Sequence, residues 1–536
     1  MTSCSNRCRA RRAMWRLQLK QFLQDQRNRR FFALSIAALV LLPLLVLSFS
    51  RTFFTYATET DFLQTFVPEA QRILAGERLE VSYHLPGFPL VLAGVLSITP
   101  DLLSAGLVIA FLSSVAALGM SFRTFKTLLG DDYAWASVFT LWLSIPLMIL
   151  SASATSDVYF YTLFCATLWL TVLVASDPKS SRNASLLGLV IGIAFLTRSN
   201  GLTLFAAILA PFITVQSRNE LVVWPRIKGA CLIAGGSLVP ILIWLFVSMR
   251  YGMPFSPSGT VDNLAMTYFS TGDGIGLESM ETVRGKFDSV LDVFLHDPAA
   301  VLSQYFKDLF DLPLRALKTV AFPFSLIAIP GFILLLLKRN RIFLAVLLLL
   351  FLPQILLVNL KTYEPRYYLF LAPLIVLSMY EAVKWGWGGV KAERVKRIYL
   401  IGVIAAVCFA SFGTFRYASV YVHAQNKELG SLVTHTQSMD LSGQVLASRK
   451  IQTAYYTGAD HALLIDVSDL EALRLELADI QTRTGKDVVF YYGGMEDWKW
   501  PGLLTRDLDA PTPSWLTALT CSADPEHSWC LYRFNP

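Results

Sequence analysis

The chain has 536 residues, 54% of them hydrophobic and 16% charged, with a mean hydropathy of +0.50. That is far more apolar surface than one water-soluble core can hide, so a soluble globular enzyme is excluded and a polytopic membrane protein is expected. The formal net charge of +7 does not mark a nucleic-acid binder, because Lys and Arg gather in short clusters between apolar runs, where they set topology.

Residues 1–30 form a basic head containing Arg7, Arg9, Arg11, Arg12, Arg16, Arg27, Arg29 and Arg30. The run FFALSIAALVLLPLLVLSFS that follows is about 20 residues long, enough to span a bilayer, and no small-x-small cleavage site comes after it. Positive-inside logic places the head in the cytoplasm.

Tyr56 to Pro89 reads YATETDFLQTFVPEAQRILAGERLEVSYHLPGFP, a polar, partly amphipathic insert directly after the first span. Lipid satisfies neither irregular backbone nor charge, so this insert faces water or lines a cavity. Glu59 and Asp61 stand two residues apart in it and are the candidate catalytic acids. Carboxylates held against apolar walls bind protons more tightly because burial disfavours their charge, a property that suits a general base. The plain alternative is a pair of solvated loop acids. VPEAQRILAGE has the spacing of a short interfacial helix ended by Gly76. Tyr83 and His84 offer hydrogen bonds to a substrate, although a lone His is more often structural. Residues 85–100, LPGFPLVLAGVLSITP, are apolar but short and broken by Pro86, Pro89 and Pro100. A full span here would reverse every later loop, so the segment is read as surface-lying or re-entrant.

Further spans are expected at about 102–122, 133–150, 158–175, 184–199, 201–215, 230–248, 315–337, 342–360, 366–383 and 398–416, eleven with the first. An odd number sends the carboxyl-terminal tail outside. The loops this parity assigns to the cytoplasm hold Arg123 and Lys126; Lys179 and Arg182; Arg218, Arg226 and Lys228; Lys338, Arg339 and Arg341; and Lys384, Lys391, Arg394, Lys396 and Arg397. The short outer loops are much poorer in basic residues, as the positive-inside rule requires.

Asp157, in SASATSDVYFY, falls on the expected outer face. It is also a position for a helix N-cap, since Ser156 or Asp157 opens the next span. Arg198, in LTRSNGL, divides about 32 apolar residues and makes a tight hairpin with Ser199, Asn200 and Gly201. An Arg there requires the interface or an anionic partner. Phosphate fits the guanidinium fork, and snorkelling to lipid headgroups is the alternative. KTYEPRYYLFLAP puts Lys361, Glu364, Arg366, Tyr367 and Tyr368 at one outer edge, partly as an aromatic belt. Arg366 on the same face as Arg198 and the acids makes a site for a membrane-borne phosphate ester.

Residues 249–314 form a large outer loop, and everything from 417 onward reads as a soluble unit. Strand-like runs there (QVLAS, TAYYTG, ALLIDV, DVVFYY) alternate with one amphipathic helix, SDLEALRLELADIQ, pointing to a small α/β domain. It carries no nucleophile arrangement, Gly-rich phosphate loop or metal cluster, so docking or substrate recognition is expected of it. Of the seven cysteines, none has metal-ligand spacing. Cys521 and Cys530 form a disulfide if the tail meets an oxidising compartment, and otherwise stay as thiols.

The order TETDFLQTFVPEAQRILAGE, YHLPGFPLVLAG, ATSDVYFYTLF, FLTRSNGL and YEPRYYLFLAP, over roughly residues 30–420, resembles the polytopic glycosyltransferases of GT-C fold. The nearest branch is the protein O-mannosyltransferase and aminoarabinose-transferase-like group, family 39. The resemblance implies a mainly α transmembrane bundle, with a cytoplasmic head (1–30), a transmembrane domain (31–416, outer loops 51–100 and 249–314) and an extracytoplasmic α/β domain (417–536). It also implies a polyprenyl-phosphate sugar donor, and an acceptor that is a glycan, lipid or protein; a bacterial inner-membrane location is expected from the lack of a eukaryotic retention signal and from the sequon at Asn183 falling in an expected cytoplasmic loop. Asp61 matches the family's first-loop acid, and the second acid often found next to it is here Phe62. Asp157 matches an acid at the start of a later span. Arg198 and Arg366 fall where basic residues are expected to face the lipid phosphate; on the residue reading alone, Tyr367, Glu364, Tyr83 and His84 are further substrate-binding candidates. Nothing in the sequence requires a metal, although some relatives of the fold use a divalent one. A transporter or lipid flippase is the competing class, yet no paired halves with matching broken helices are evident and the acids cluster at one surface. A non-catalytic anchoring protein leaves the first-loop acids unexplained.

Overall fold

Long apolar runs in lipid close their backbone hydrogen bonds internally, which leaves helices as the spanning element. In the computed structural model the described residues run from 42 to 536, without 56–58, 79–83, 214–222, 252–260, 270–285, 359–364 and scattered single or paired positions. The first expected span lies almost entirely outside them.

The described helices begin with α1 (Val67–Ala75), α2 (Gly87–Leu96), α3 (Leu102–Leu129), α4 (Asp131–Trp142), α5 (Ile145–Ser151), α6 (Ser156–Ser176) and α7 (Ser181–Thr197). A 3-10 segment, Ser199–Phe212, leads to α8 (Val223–Tyr251), α9 (Val290–His296), α10 (Pro298–Lys318), α11 (Ala328–Leu337), α12 (Arg341–Val346) and α13 (Leu352–Val358). A second 3-10 turn, Pro365–Leu371, opens into α14 (Ala372–Gly389), then α15 (Glu393–Ala424) and α16 (Asn426–Thr436). Five described helical units are long and apolar enough to cross a membrane: α3, α6, α8, Arg366–Gly389 and Ile401–Val420 of α15. A pair bent by 113°, Phe324–Leu337 with Arg341–Leu357, makes a sixth. The protein is therefore a multi-pass membrane protein.

The span expected at 133–150 is built from two shorter helices, while those at 184–199 and 201–215 are the 17-residue α7 and the 14-residue 3-10 segment. The first divides into α4 and α5 because Pro146 sits in the opening turn of α5, and Ile145 N–H donates to Thr319 O at 2.9 Å across the break. The segment at 85–100 holds the short helix α2, ten residues from Gly87 to Leu96, too short to cross a bilayer by itself.

Helix association in lipid rests on close backbone approach, which small residues allow. Gly188 and Gly192, one turn apart on α7, meet α8 with so little clearance that a Cβ would lie 2.1 Å from Ile233 O and 2.3 Å from Ser237 O. Outward, α8 shows Leu238, Ile243 and Phe246, the apolar face expected against lipid tails.

The carboxyl-terminal unit is a five-stranded sheet in the order β2-β1-β3-β5-β4, with β1 Val445–Ser448, β2 Asp460–Leu463, β3 Val488–Tyr492, β4 Leu516–Cys521 and β5 Cys530–Phe534. β1 pairs in parallel with β2 and β3, whereas β5 is antiparallel to both β3 and β4. Helix α18 (Leu470–Thr484) covers one face through Leu473, Leu477 and Ile480. The run TAYYTG, expected as a strand, belongs instead to helix α17 (Ile451–Thr457), ended by Gly458 at φ +73°. Its aromatic residues favour strands intrinsically, but tertiary packing decides. Cys521 and Cys530 face each other across β4 and β5 and form a disulfide. A last short helix, α19 (Gly494–Lys499), follows β3.

Adding a methyl group at the tight α7–α8 crossing forces the helices apart. Gly188→Ala is expected to cost about 1–3 kcal/mol, read as a lowered Tm in detergent. Gly119→Ala, with nothing within 4 Å of the added carbon, is expected to show no such loss. Equal Tm values for the two variants would contradict the packing argument.

Candidate active site

The first loop enters the site through Glu59. Its side chain is fully buried, and its carboxylate accepts hydrogen bonds from Thr55 N at 2.6 Å, Thr55 Oγ1 at 3.1 Å and Ala154 N. Expected as a second acid beside Asp61, it instead joins the loop to the residues just before α6. Asp61, two residues on, is exposed and starts a single π-helical turn, Phe62–Phe66. Such a turn packs an extra residue per repeat and recurs at functional sites. Here Phe62, Leu63 and Phe66 are buried, while Asp61 faces solvent. Helix α1 continues the turn and ends at Gly76 with φ +69°, the left-handed C-cap foreseen for that glycine.

The cationic half is assembled from three elements. Helix α6 starts at Ser156, and its cap is Thr155, not Ser156 or Asp157: Thr155 Oγ1 accepts from Asp157 N at 3.3 Å and donates to Asp157 Oδ2 at 2.7 Å. Asp157, 8% exposed, meets Arg198 Nη1 at 2.6 Å and Arg366 Nη1 at 3.6 Å. Arg198 also donates to Ser156 Oγ at 3.2 Å, so its intramembrane charge has an anionic partner. Arg198 is the extended C-cap of α7, turned by a hydrogen bond from Gly201 N to its carbonyl at 2.8 Å. Gly201 lies so close to the backbone of Ala194 and Phe195 that a Cβ has no room. Arg366 comes from the second 3-10 turn, its guanidinium 5.2 Å from the Tyr367 ring centroid.

Asp157, Arg198 and Arg366 together line a small cleft. Phe160, Phe164 and Phe370 give it apolar walls, and Asn200 and Gln354 contribute amides. Gln354 Nε2 donates to Asn200 O at 3.2 Å, which fixes the turn after Arg198. Sequence reasoning passed over both amides. Gln354 was visible as the lone amide in LLLLFLPQILLV, and Asn200 read only as a turn residue.

His84, before α2, stacks on Phe66 with ring centroids 4.6 Å apart. Burial first, then the charges of Arg198 and Arg366, hold its pKa down at about 4 against the opposing pull of Asp61 and Asp157. It is therefore neutral at pH 7, within the field of both the acid and the arginines. The structure thus brings together Asp61, His84, Asp157, Arg198, Arg366 and Tyr367; Tyr83 and Glu364 lie outside the described residues. No group of three or more His, Cys, Asp or Glu among the described residues is placed to hold a metal ion.

Residues 83–244 match the family described as dolichyl-phosphate-mannose-protein mannosyltransferase. No curated protein matches the chain. Among solved structures, ArnT from Cupriavidus metallidurans in the apo state is 13% identical, with 94% of this chain and 98% of that one covered and a TM-score of 0.54. The same protein bound to undecaprenyl phosphate gives 12% identity, 93% and 98% coverage and a TM-score of 0.53. The oligosaccharyltransferase AglB from Archaeoglobus fulgidus, in complex with an inhibitory peptide and a dolichol-phosphate, is 11% identical, with coverage of 86% and 69% and a TM-score of 0.52. The chain thus has a polytopic helical GT-C fold resembling family 39.

On α1, the buried Glu69 has its pKa pushed up to about 7 by burial, with Arg72 opposing. The folded state then holds that proton more tightly than the unfolded chain does. Its contribution to stability is fullest below about pH 4.5 and declines as pH rises to about 7. Melting curves between pH 4.5 and 8 should show this decline in the wild type and a flatter profile in Glu69→Gln. Identical slopes would contradict it.

Proposed function

We propose that this GT-C-fold membrane protein is a glycosyltransferase that moves a sugar from a polyprenyl-phosphate donor to an acceptor hydroxyl or amine. The observation that carries the reading is the buried Asp157–Arg198–Arg366 cluster, two guanidinium groups held side by side at an aromatic-walled cleft that also lies within reach of a solvent-facing acid. Family similarity over residues 83–244 and the shared fold with ArnT, one of whose structures holds undecaprenyl phosphate, support the same chemistry.

In this reading the acceptor approaches from the aqueous side, where Asp61 orients it and takes its proton as the nucleophile attacks the anomeric carbon. The bond between that carbon and the phosphate oxygen breaks on the opposite face, so configuration inverts and no glycosyl-enzyme intermediate forms. Polyprenyl phosphate departs with the bonding electron pair. Arg198 and Arg366, already oriented by Asp157, stabilise the charge that grows on it. His84, neutral at pH 7, offers a hydrogen bond between the two halves. Glu59, bound to Thr55 and Ala154, positions the loop and leaves the proton chemistry to Asp61. The active face is extracytoplasmic, as the basic loops of the opposite side indicate, and the carboxyl-terminal unit shares that side.

The test is transfer from a panel of radiolabelled polyprenyl-phosphate sugars to crude acceptors in membranes containing the purified chain. Asp61→Asn should lower transfer by about 10²–10⁴-fold and leave binding of polyprenyl phosphate intact. Undiminished transfer in the variant would remove Asp61 from the mechanism. No transfer from any donor by the wild type would overturn the reading.

A further inference from the structure

The first loop is held from two sides. One is the Glu59 carboxylate, which ties it to the bundle. The other comes from a helix nearly four hundred residues away in sequence. In α17, Gln452 is fully buried, and its Nε2 donates to Thr55 O at 2.5 Å and Thr60 Oγ1 at 3.3 Å. One turn on, the Tyr456 hydroxyl accepts from Phe54 N at 2.9 Å. Around these polar links lies an aromatic cluster. Tyr456 meets Phe53 with ring centroids 5.0 Å apart, Tyr455 meets Phe54 at 5.9 Å, and Phe54 meets Phe62 at 5.6 Å. Thr60 and Phe62 are the two sequence neighbours of Asp61, so both flanks of the exposed acid are fixed through this contact. The helix is anchored in turn to its own sheet, since Ser448 Oγ at the end of β1 lies 2.8 Å from Thr453 Oγ1.

We infer that the carboxyl-terminal α/β unit is a working part of the site, in which Gln452 and Tyr456 are positioning residues that set the placement of Asp61. This rests on the reading above that Asp61 acts on the acceptor. A reacting group displaced by about 1 Å loses on the order of 10²-fold in rate, while the phosphate-binding arginines, on other elements, are untouched. The effect therefore belongs to kcat and to the acid, not to donor affinity. As helix α17, the stretch around TAYYTG sets Gln452 and Tyr456 on one face about 6 Å apart along its axis, close enough for both to reach the loop, where a strand would hold them about 13 Å apart.

The experiment compares full-length wild type, Gln452→Leu and Tyr456→Phe, each also in the Asp61→Asn background. The readouts are sugar transfer and binding of polyprenyl phosphate. Tyr456→Phe removes a single hydroxyl and guards against loss of folding. The expected result is a fall in kcat of about tenfold or more with donor KM and polyprenyl phosphate binding unchanged, and no further fall when Asp61 is already Asn. Equal losses in both backgrounds, or none in either, would overturn the proposal. Should the wild type transfer no sugar, which defeats the enzymatic reading instead, hydrogen exchange of the Phe62–Phe66 amides still decides the contact. It should quicken about tenfold in Gln452→Leu, and unchanged exchange would refute the positioning role.

Discussion

A single buried carboxylate holds the membrane-side architecture together. Asp157 draws in Arg198 from the end of α7 and Arg366 from the turn before α14, and its own rotamer is fixed by Thr155. Neither arginine is affordable in an apolar bundle without a partner, and removing one side of such a buried pair costs about 3–5 kcal/mol. Three chain segments far apart in sequence therefore have to meet at one point. Both guanidinium groups also line the aromatic-walled cleft, so the cluster that organises the bundle faces the space where a ligand is to bind. Structure and binding capacity come from the same ion group.

The departures from ideal helices follow the same logic. Irregular backbone survives at membrane depth only where protein or a cavity satisfies it. Three of the breaks carry site residues: the π turn after Asp61, the 3-10 segment after Arg198 and the 3-10 turn bearing Arg366. Long, regular α3 and α8 supply span and lipid-facing surface, while short or broken pieces carry the charged side chains. Above them, α17 lends an amide and a phenol to the acid loop, so that loop belongs to two packing units at once.

Much of this was legible because lipid makes polar residues conspicuous. Arg198 stood out by dividing an apolar run, Gly76 by ending an amphipathic one, and residues 85–100 by their prolines; the structure ends helices at the first two and makes the third a helix of ten residues. The site residues were readable as types but not as roles. Nothing local separates Glu59 from Asp61, and the difference, buried against exposed, comes from Ala154 donating to the former. The N-cap moved from Ser156 or Asp157 to Thr155 for a similar reason, since the Asp157 carboxylate is committed to the arginines. TAYYTG carries strand propensity that packing against the first loop overrides. Gln354, Gln452 and the β4–β5 hairpin depend on contacts distant in sequence, which periodicity does not encode. Whether Cys521 and Cys530 pair was likewise open until strand register set them opposite each other.

The central claim is that the Asp157-held arginine pair binds the phosphate of the lipid donor. Its most direct test is an experimental structure of the full chain in lipid nanodiscs with a polyprenyl phosphate added. The account predicts phosphate oxygens within about 3 Å of both the Arg198 and Arg366 guanidinium groups, with the first isoprene units against Phe160, Phe164 and Phe370. A phosphate bound elsewhere, out of reach of both arginines, would contradict it.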